Sequence, residues 1–159
     1  MQDEFVRALI ARRREIHARW EVLLRIERVN TPLANPDALV FMIDWTLDEV
    51  FNALRHAPAK RRGAHAADAS RPECPCGRNP LLVYFSAGCQ SLEEALVLVQ
   101  AETPGLDPDN RDNAFATLKL VMREISRREI ESFCSICQYR AQPATAAAPS
   151  QSHAHVHAH

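Results

Sequence analysis

Residues 35–54 read NPDALVFMIDWTLDEVFNAL, and the spacing of their apolar side chains decides the fold class. Val40, Ile43, Leu47, Val50, Phe51 and Leu54 recur mostly at intervals of three and four, which stacks them along one side of an α-helix. Asn35 offers an N-cap oxygen. Pro36 suits the first helical position, where no amide hydrogen is needed, and Asp37 faces the positive end of the helix dipole.

The flanking segments repeat this grammar. From about residue 5 to 29, Phe5, Leu9, Ile16, Trp20, Leu23 and Leu24 predict one helix that Thr31-Pro32 ends. Residues 57–72 shift to Ala, Arg, Lys, His and Pro without apolar periodicity and read as an exposed linker. Asn79-Pro80 repeats the capping pattern ahead of Leu81 to Phe85, and Ala87-Gly88 reads as an interruption. Ser91-Leu92-Glu93-Glu94 has the form of a capping box opening a further helix to about Glu102, where Thr103-Pro104-Gly105 stops it. Asp107-Pro108-Asp109 starts the longest helix, with Phe115, Leu118, Met122, Ile125, Phe133 and Ile136 as its stripe, predicted to reach about Tyr139.

Residues 142–159 are mostly Ala, Pro, Ser and His, with too little apolar surface to offset the entropy of ordering them. The expectation is an all-α single domain over residues 1–140, four-helix bundle-like or globin-like, with a Cys-lined metal site. Residues 57–72 are a linker within it, and 141–159 form a disordered His-containing tail.

Composition agrees with a globular chain: 47% hydrophobic and 25% charged residues over 159 positions, enough to bury a real core. Four glycines against ten prolines favour helices punctuated by prolines. A formal net charge of -1 removes bulk attraction to nucleic acid or anionic membrane, so neither is an expected partner. Arg12-Arg13-Arg14 reads as a solvated helix face, and Lys60-Arg61-Arg62 falls in the linker. Met1 to Phe5 lacks the basic start and apolar core of a secretory signal, and no uninterrupted run approaches the roughly 20 apolar residues of a membrane span. A cytoplasmic setting follows, in which thiols stay reduced.

Five cysteines are present, and four of them form two close pairs, Cys74-x-Cys76 and Cys134-x-x-Cys137. Zinc takes four soft ligands at tetrahedral angles, commonly as two pairs from separate segments. Cys134 and Cys137 are three apart near the predicted end of the last helix, so both sulfurs are expected on one face. Cys74 and Cys76 lie in a Pro- and Gly-containing turn that leaves few side chains to crowd an ion. One structural zinc shared by Cys74, Cys76, Cys134 and Cys137 is therefore the principal expectation. An iron–sulfur cluster, with Cys89 as a spare ligand, is the alternative cofactor. Unmetallated cysteines packed as small hydrophobes, or a redox pair at Cys134 and Cys137, are the other readings. Cys89, at Gly88-Cys89-Gln90, reads as a small residue in a tight turn, or as the reactive thiol outside the pairs.

His153, His155, His157 and His159 alternate with small or apolar residues, an arrangement that lines up imidazoles in an extended chain and suits metal ions. Such a tail collects metal, or is an affinity tail or a tract without a role. His17, His56 and His65 stand apart from one another and read as surface residues. Trp20 and Trp45 are expected in the core. No Gly-rich phosphate loop, His-Glu-x-x-His or Gly-x-Ser-x-Gly is present, and the Asp44, Asp48 and Glu49 carboxylates lack the Glu-x-x-His partners of a carboxylate-bridged bundle. No enzyme is expected.

Ala11-Arg12-Arg13-Arg14-Glu15-Ile16, leading into Arg19-Trp20-Glu21 and Pro32-Leu33, resembles the N-terminal helical domain of RsbR-type stressosome regulators and related sensor kinases over about the first third of the chain. The resemblance implies a globin-like, non-haem, dimeric sensory or interaction domain. Cys74-Pro75-Cys76-Gly77 is similar to the start of the small zinc-binding motif that ends bacterial secretion ATPases. Neither resemblance carries a functional residue across. The expected function is a non-catalytic regulatory or protein-interaction module, with a protein partner or a second copy of the chain. A metal or redox sensor using the same cysteines is the competing reading.

Overall fold

The computed structural model describes residues 3–26, 36–57, 74 and 78–137. Their regular structure is entirely helical: α1 (Asp3–Ala11), α2 (Arg13–Ile26), α3 (Pro36–His56), α4 (Leu81–Ala101) and α5 (Pro108–Ile136). The all-α expectation holds. The expected linker, apart from Ala57, and the tail at 141–159 lie outside the described residues, as do His65, His153, His155, His157 and His159.

The single helix predicted over 5–29 is two helices. At Arg12 the amide is shared between the carbonyls of Ala8, at 3.2 Å, and Leu9, at 3.1 Å, a tightening that turns the chain between α1 and α2. The Arg12-Arg13-Arg14 run has no apolar side chain to hold a straight path. Its guanidiniums instead reach across to neighbours, Arg12 to Glu102 and Arg13 to Asp44 and Asp48. Phe5, Val6 and Leu9 of α1 and Ile16, Trp20 and Leu24 of α2 are all buried.

Helix α4 differs more. Ala87-Gly88 does not interrupt it; α4 runs unbroken through both residues. Ser91 is buried within it, and its hydroxyl donates back to Ala87 O at 2.8 Å rather than capping a helix start. Glu94 pairs with Arg19 of α2 (2.7 Å), so the predicted capping box is absent. Read unbroken, α4 is long and apolar enough by length and composition to cross a bilayer, which the sequence broken at Gly88 hides. Half of that apolar window is buried inside the bundle, as in a core helix.

Side-chain pairs set the helix directions. Arg13 meets Asp44 and Asp48 while Arg25 meets Asp37, so α2 and α3 are antiparallel. Arg12 meets Glu102 and Arg19 meets Glu94, so α2 and α4 are antiparallel too. Gln100 Nε2 donates to Arg111 O and Asn79 to Ile130 O, which makes α4 and α5 an antiparallel hairpin. Its turn uses Gly105 at φ +71 and Asp107, whose carboxylate accepts from Asn110 N at 3.2 Å ahead of Pro108. Arg128 pairs with Glu49 and closes the ring of four between α5 and α3. Helices α3 and α4 thus run in the same direction, so the end of α3 and the start of α4 lie at opposite ends of the bundle, roughly 30 Å apart for helices of this length.

Two of these pairs shift a carboxylate: Arg13 bonding holds Asp48 below its ordinary value, and Arg19, then Gln90, does so for Glu94. A chain of polar contacts runs through the core at Trp20, Tyr84 and Thr46. Trp20 Nε1 donates to Tyr84 O at 3.0 Å, and Thr46 Oγ1 meets the Tyr84 hydroxyl at 2.7 Å while also donating to Met42 O. Burial raises the Tyr84 phenol above its ordinary value, and the Thr46 hydrogen bond opposes this only in part. Trp20 is buried as expected. Trp45 is not: it is 52% exposed beside Phe41 at 87%, one turn apart on the face of α3 turned away from the core.

Candidate metal centre

Asn79, Pro80, Ile130 and Cys134 build the far end of the α4–α5 hairpin. Pro80 already has helical dihedrals (φ −64, ψ −22), and Asn79 Oδ1 accepts from Leu81 N at 2.9 Å, so the capping role expected of Asn79 holds. On α5, Ile130 and Cys134 are four residues apart and therefore stack on one face. That face meets the start of α4. Asn79 Nδ2 donates to Ile130 O at 3.4 Å and to Cys134 Sγ at 3.5 Å, with Asn79 itself buried.

Cys74 comes to the same place. Cys134 Sγ donates to Cys74 Sγ at 3.1 Å, across 60 residues of sequence, with both cysteines half-buried. One member of each predicted pair therefore meets one member of the other. Cys76 lies outside the described residues. Cys137 closes α5 as its C-cap with extended dihedrals (φ −69, ψ 119), its amide on Cys134 O at 3.4 Å. The predicted common helix face for Cys134 and Cys137 ends there, because α5 stops at Ile136 instead of continuing to Tyr139. Among the described residues no group of three or more His, Cys, Asp or Glu side chains is gathered as for a metal ion.

At 3.1 Å the two sulfurs stand closer than a shared soft ion would hold them. Tetrahedral zinc with Zn–S bonds of about 2.3 Å separates its sulfurs by about 3.8 Å, so a small side-chain rotation at Cys74 and Cys134 would accommodate it. Cys89 stands apart from this end, half-buried in mid-α4 against the core and not in a turn. His17 faces Asp44 at 3.7 Å, and His56 Nδ1 contacts Asn52 O at 2.8 Å, so both engage their own or the neighbouring helix.

Sequence reasoning missed the second job of Asn79. Asn-Pro ahead of an apolar run announces a cap, but the donation to Cys134 depends on how α5 registers against α4. No family model, curated protein or solved structure matches this chain.

Proposed function

We propose that the chain is a non-catalytic regulatory or protein-interaction helical module fastened at one end by a structural zinc. Cys74 and Cys134 are its central ligands, and Cys76 and Cys137 complete the set. The single observation that carries this reading is the 3.1 Å approach of Cys74 and Cys134. Two thiols from distant segments at one half-buried point form the start of a soft-metal site. A zinc there would join the segment entering α4 to the end of α5, so that binding energy becomes folding energy for that half of the bundle.

The interaction role draws on Phe41 and Trp45, adjacent on the solvent face of α3. It also draws on the RsbR-type resemblance of the first helices, whose sensory and dimeric character would apply here. The same half-exposed sulfur pair carries the second reading, a metal or redox sensor.

Cadmium titration of the full-length chain tests the metal site, because thiolate-to-cadmium charge-transfer absorption is blind to any imidazole binding by the tail. We expect one saturating equivalent in the wild type, a sharp loss in Cys74→Ser and Cys134→Ser, and no change in Cys89→Ser. Unchanged thiolate absorption in Cys134→Ser would end the proposal.

A further inference from the structure

Three hydrogen bonds converge on one buried side chain at the sulfur end of the bundle. Asn79 Oδ1 accepts from Leu81 N at 2.9 Å, which fixes the amide orientation, since a backbone N–H requires an acceptor. Nδ2 then faces Ile130 O at 3.4 Å and Cys134 Sγ at 3.5 Å, one hydrogen for each. The donor and acceptor capacity is well matched, as burial of Asn79 requires.

We propose that Asn79 is the positioning residue of the sulfur site, orienting Cys134 toward Cys74 and tying metal occupancy to the first turn of α4. The inference rests on the metal reading above and adds how the site is tuned and what it controls. A ligand thiolate carries negative charge, and an N–H aimed at it stabilises that charge while fixing the sulfur's direction. The same amide plane holds the N–H of Leu81. A shift of Cys134 on losing metal therefore pulls on the cap of α4, one of the two helices of the hairpin. Occupancy at the sulfurs is transmitted to a helix terminus through one rigid group, without a hinge or a change of fold.

A purely structural Asn79 would cap α4 and hold it to α5 without affecting metal binding. Asn79→Asp separates the cap from the donor. Aspartate keeps the acceptor for Leu81 N and is as good a cap as asparagine, but it can donate neither to Cys134 nor to Ile130 O and sets a second negative charge beside the sulfur, so the metal affinity reads the sulfur contact. The measurement is cadmium affinity of the full-length holo chain, by chelator competition read in the thiolate charge-transfer band. We expect Asn79→Asp to bind about 10- to 100-fold more weakly at unchanged stoichiometry. Asn79→Ser, which also retains a capping oxygen, should weaken binding in the same direction. In hydrogen exchange, removal of cadmium from the wild type should speed the amides of residues 81–84. The same removal should change them less in Asn79→Ser, where the link is cut.

Affinity within about twofold of wild type in both variants would overturn the proposal while leaving the metal site standing. A wild type that takes up no cadmium through Cys134 would overturn both, and its titration alone would reveal that. Exchange at residues 81–84 that is indifferent to cadmium in the wild type would overturn the coupling to α4.

Discussion

Gly88 of α4 lies directly under the indole of Trp20. A Cβ built on Gly88 would collide with Cζ2 and stand 2.5 Å from Cη2 and 2.7 Å from Cε2. Real Cβ atoms do not come that close to a ring, so the approach of α2 to α4 requires glycine here. The Trp20 Nε1 donation to Tyr84 O, one turn earlier on α4, holds the ring in that position.

Gly88→Ala therefore has a predictable sign. Alanine gains about 1 kcal/mol of helix propensity over glycine. Overpacking a filled core costs typically 1–3 kcal/mol, and a rigid ring cannot bend aside as an aliphatic chain does. We expect a net loss of about 1–2 kcal/mol in urea unfolding, the rigid ring setting it toward the upper end, and a smaller loss in a Trp20→Phe background where the ring is shorter. A gain in stability would mean that α2 and α4 do not pack through this contact.

Thr46 and Tyr84 should respond unequally to loss of the same hydrogen bond. Tyr84→Phe leaves Thr46 Oγ1 still donating to Met42 O, so no polar group is stranded. Thr46→Val removes the partner at 2.7 Å from the Tyr84 hydroxyl, in a fully buried position. An unsatisfied buried hydroxyl costs about 1–3 kcal/mol, against roughly 1 kcal/mol for a bond lost cleanly. Denaturant titration should rank Thr46→Val as the more damaging change, and equal losses would contradict the buried pairing.

Alkaline pH should destabilise the wild type through Tyr84. Burial raises its folded pKa above the ordinary value of 10.0, so above that pH the unfolded chain releases a proton that the folded chain retains. Stability from this group is fully present below pH 10 and falls as pH rises beyond it. Tyr84→Phe should lose less stability than wild type between about pH 9.5 and 11. Parallel declines in the two proteins would place the phenol in water.

The two tryptophans report the bundle's inside and outside. Trp20 is fully buried and Trp45 is half-exposed. With Trp45→Phe, the remaining emission should be blue-shifted and poorly quenched by acrylamide. With Trp20→Phe, it should be red-shifted and readily quenched. The reverse pattern would mean that α3 presents its other face to the core.

Helix positions and the all-α class were legible in the residues because they are local properties. Apolar intervals of three and four define a buried stripe, and Asn79-Pro80 and Asp107-Pro108 announce helix starts through side-chain oxygens acting within a few residues. Pairing of Cys74 with Cys134 was legible as chemistry, two soft ligands in search of partners, but not as geometry. Gly88 shows where local reading ends: its helix-breaking tendency of about 1 kcal/mol is outweighed once burial of Trp20 needs a position without a side chain. Trp45 shows the converse, an aromatic residue expected inside that lies outside, since Asp37, Asp44 and Asp48 turn their side of α3 toward the arginines of α2. Long-range register decided these points. It fixed which face of each helix meets its neighbour, and so which asparagine meets which sulfur, and no interval along a single helix encodes that.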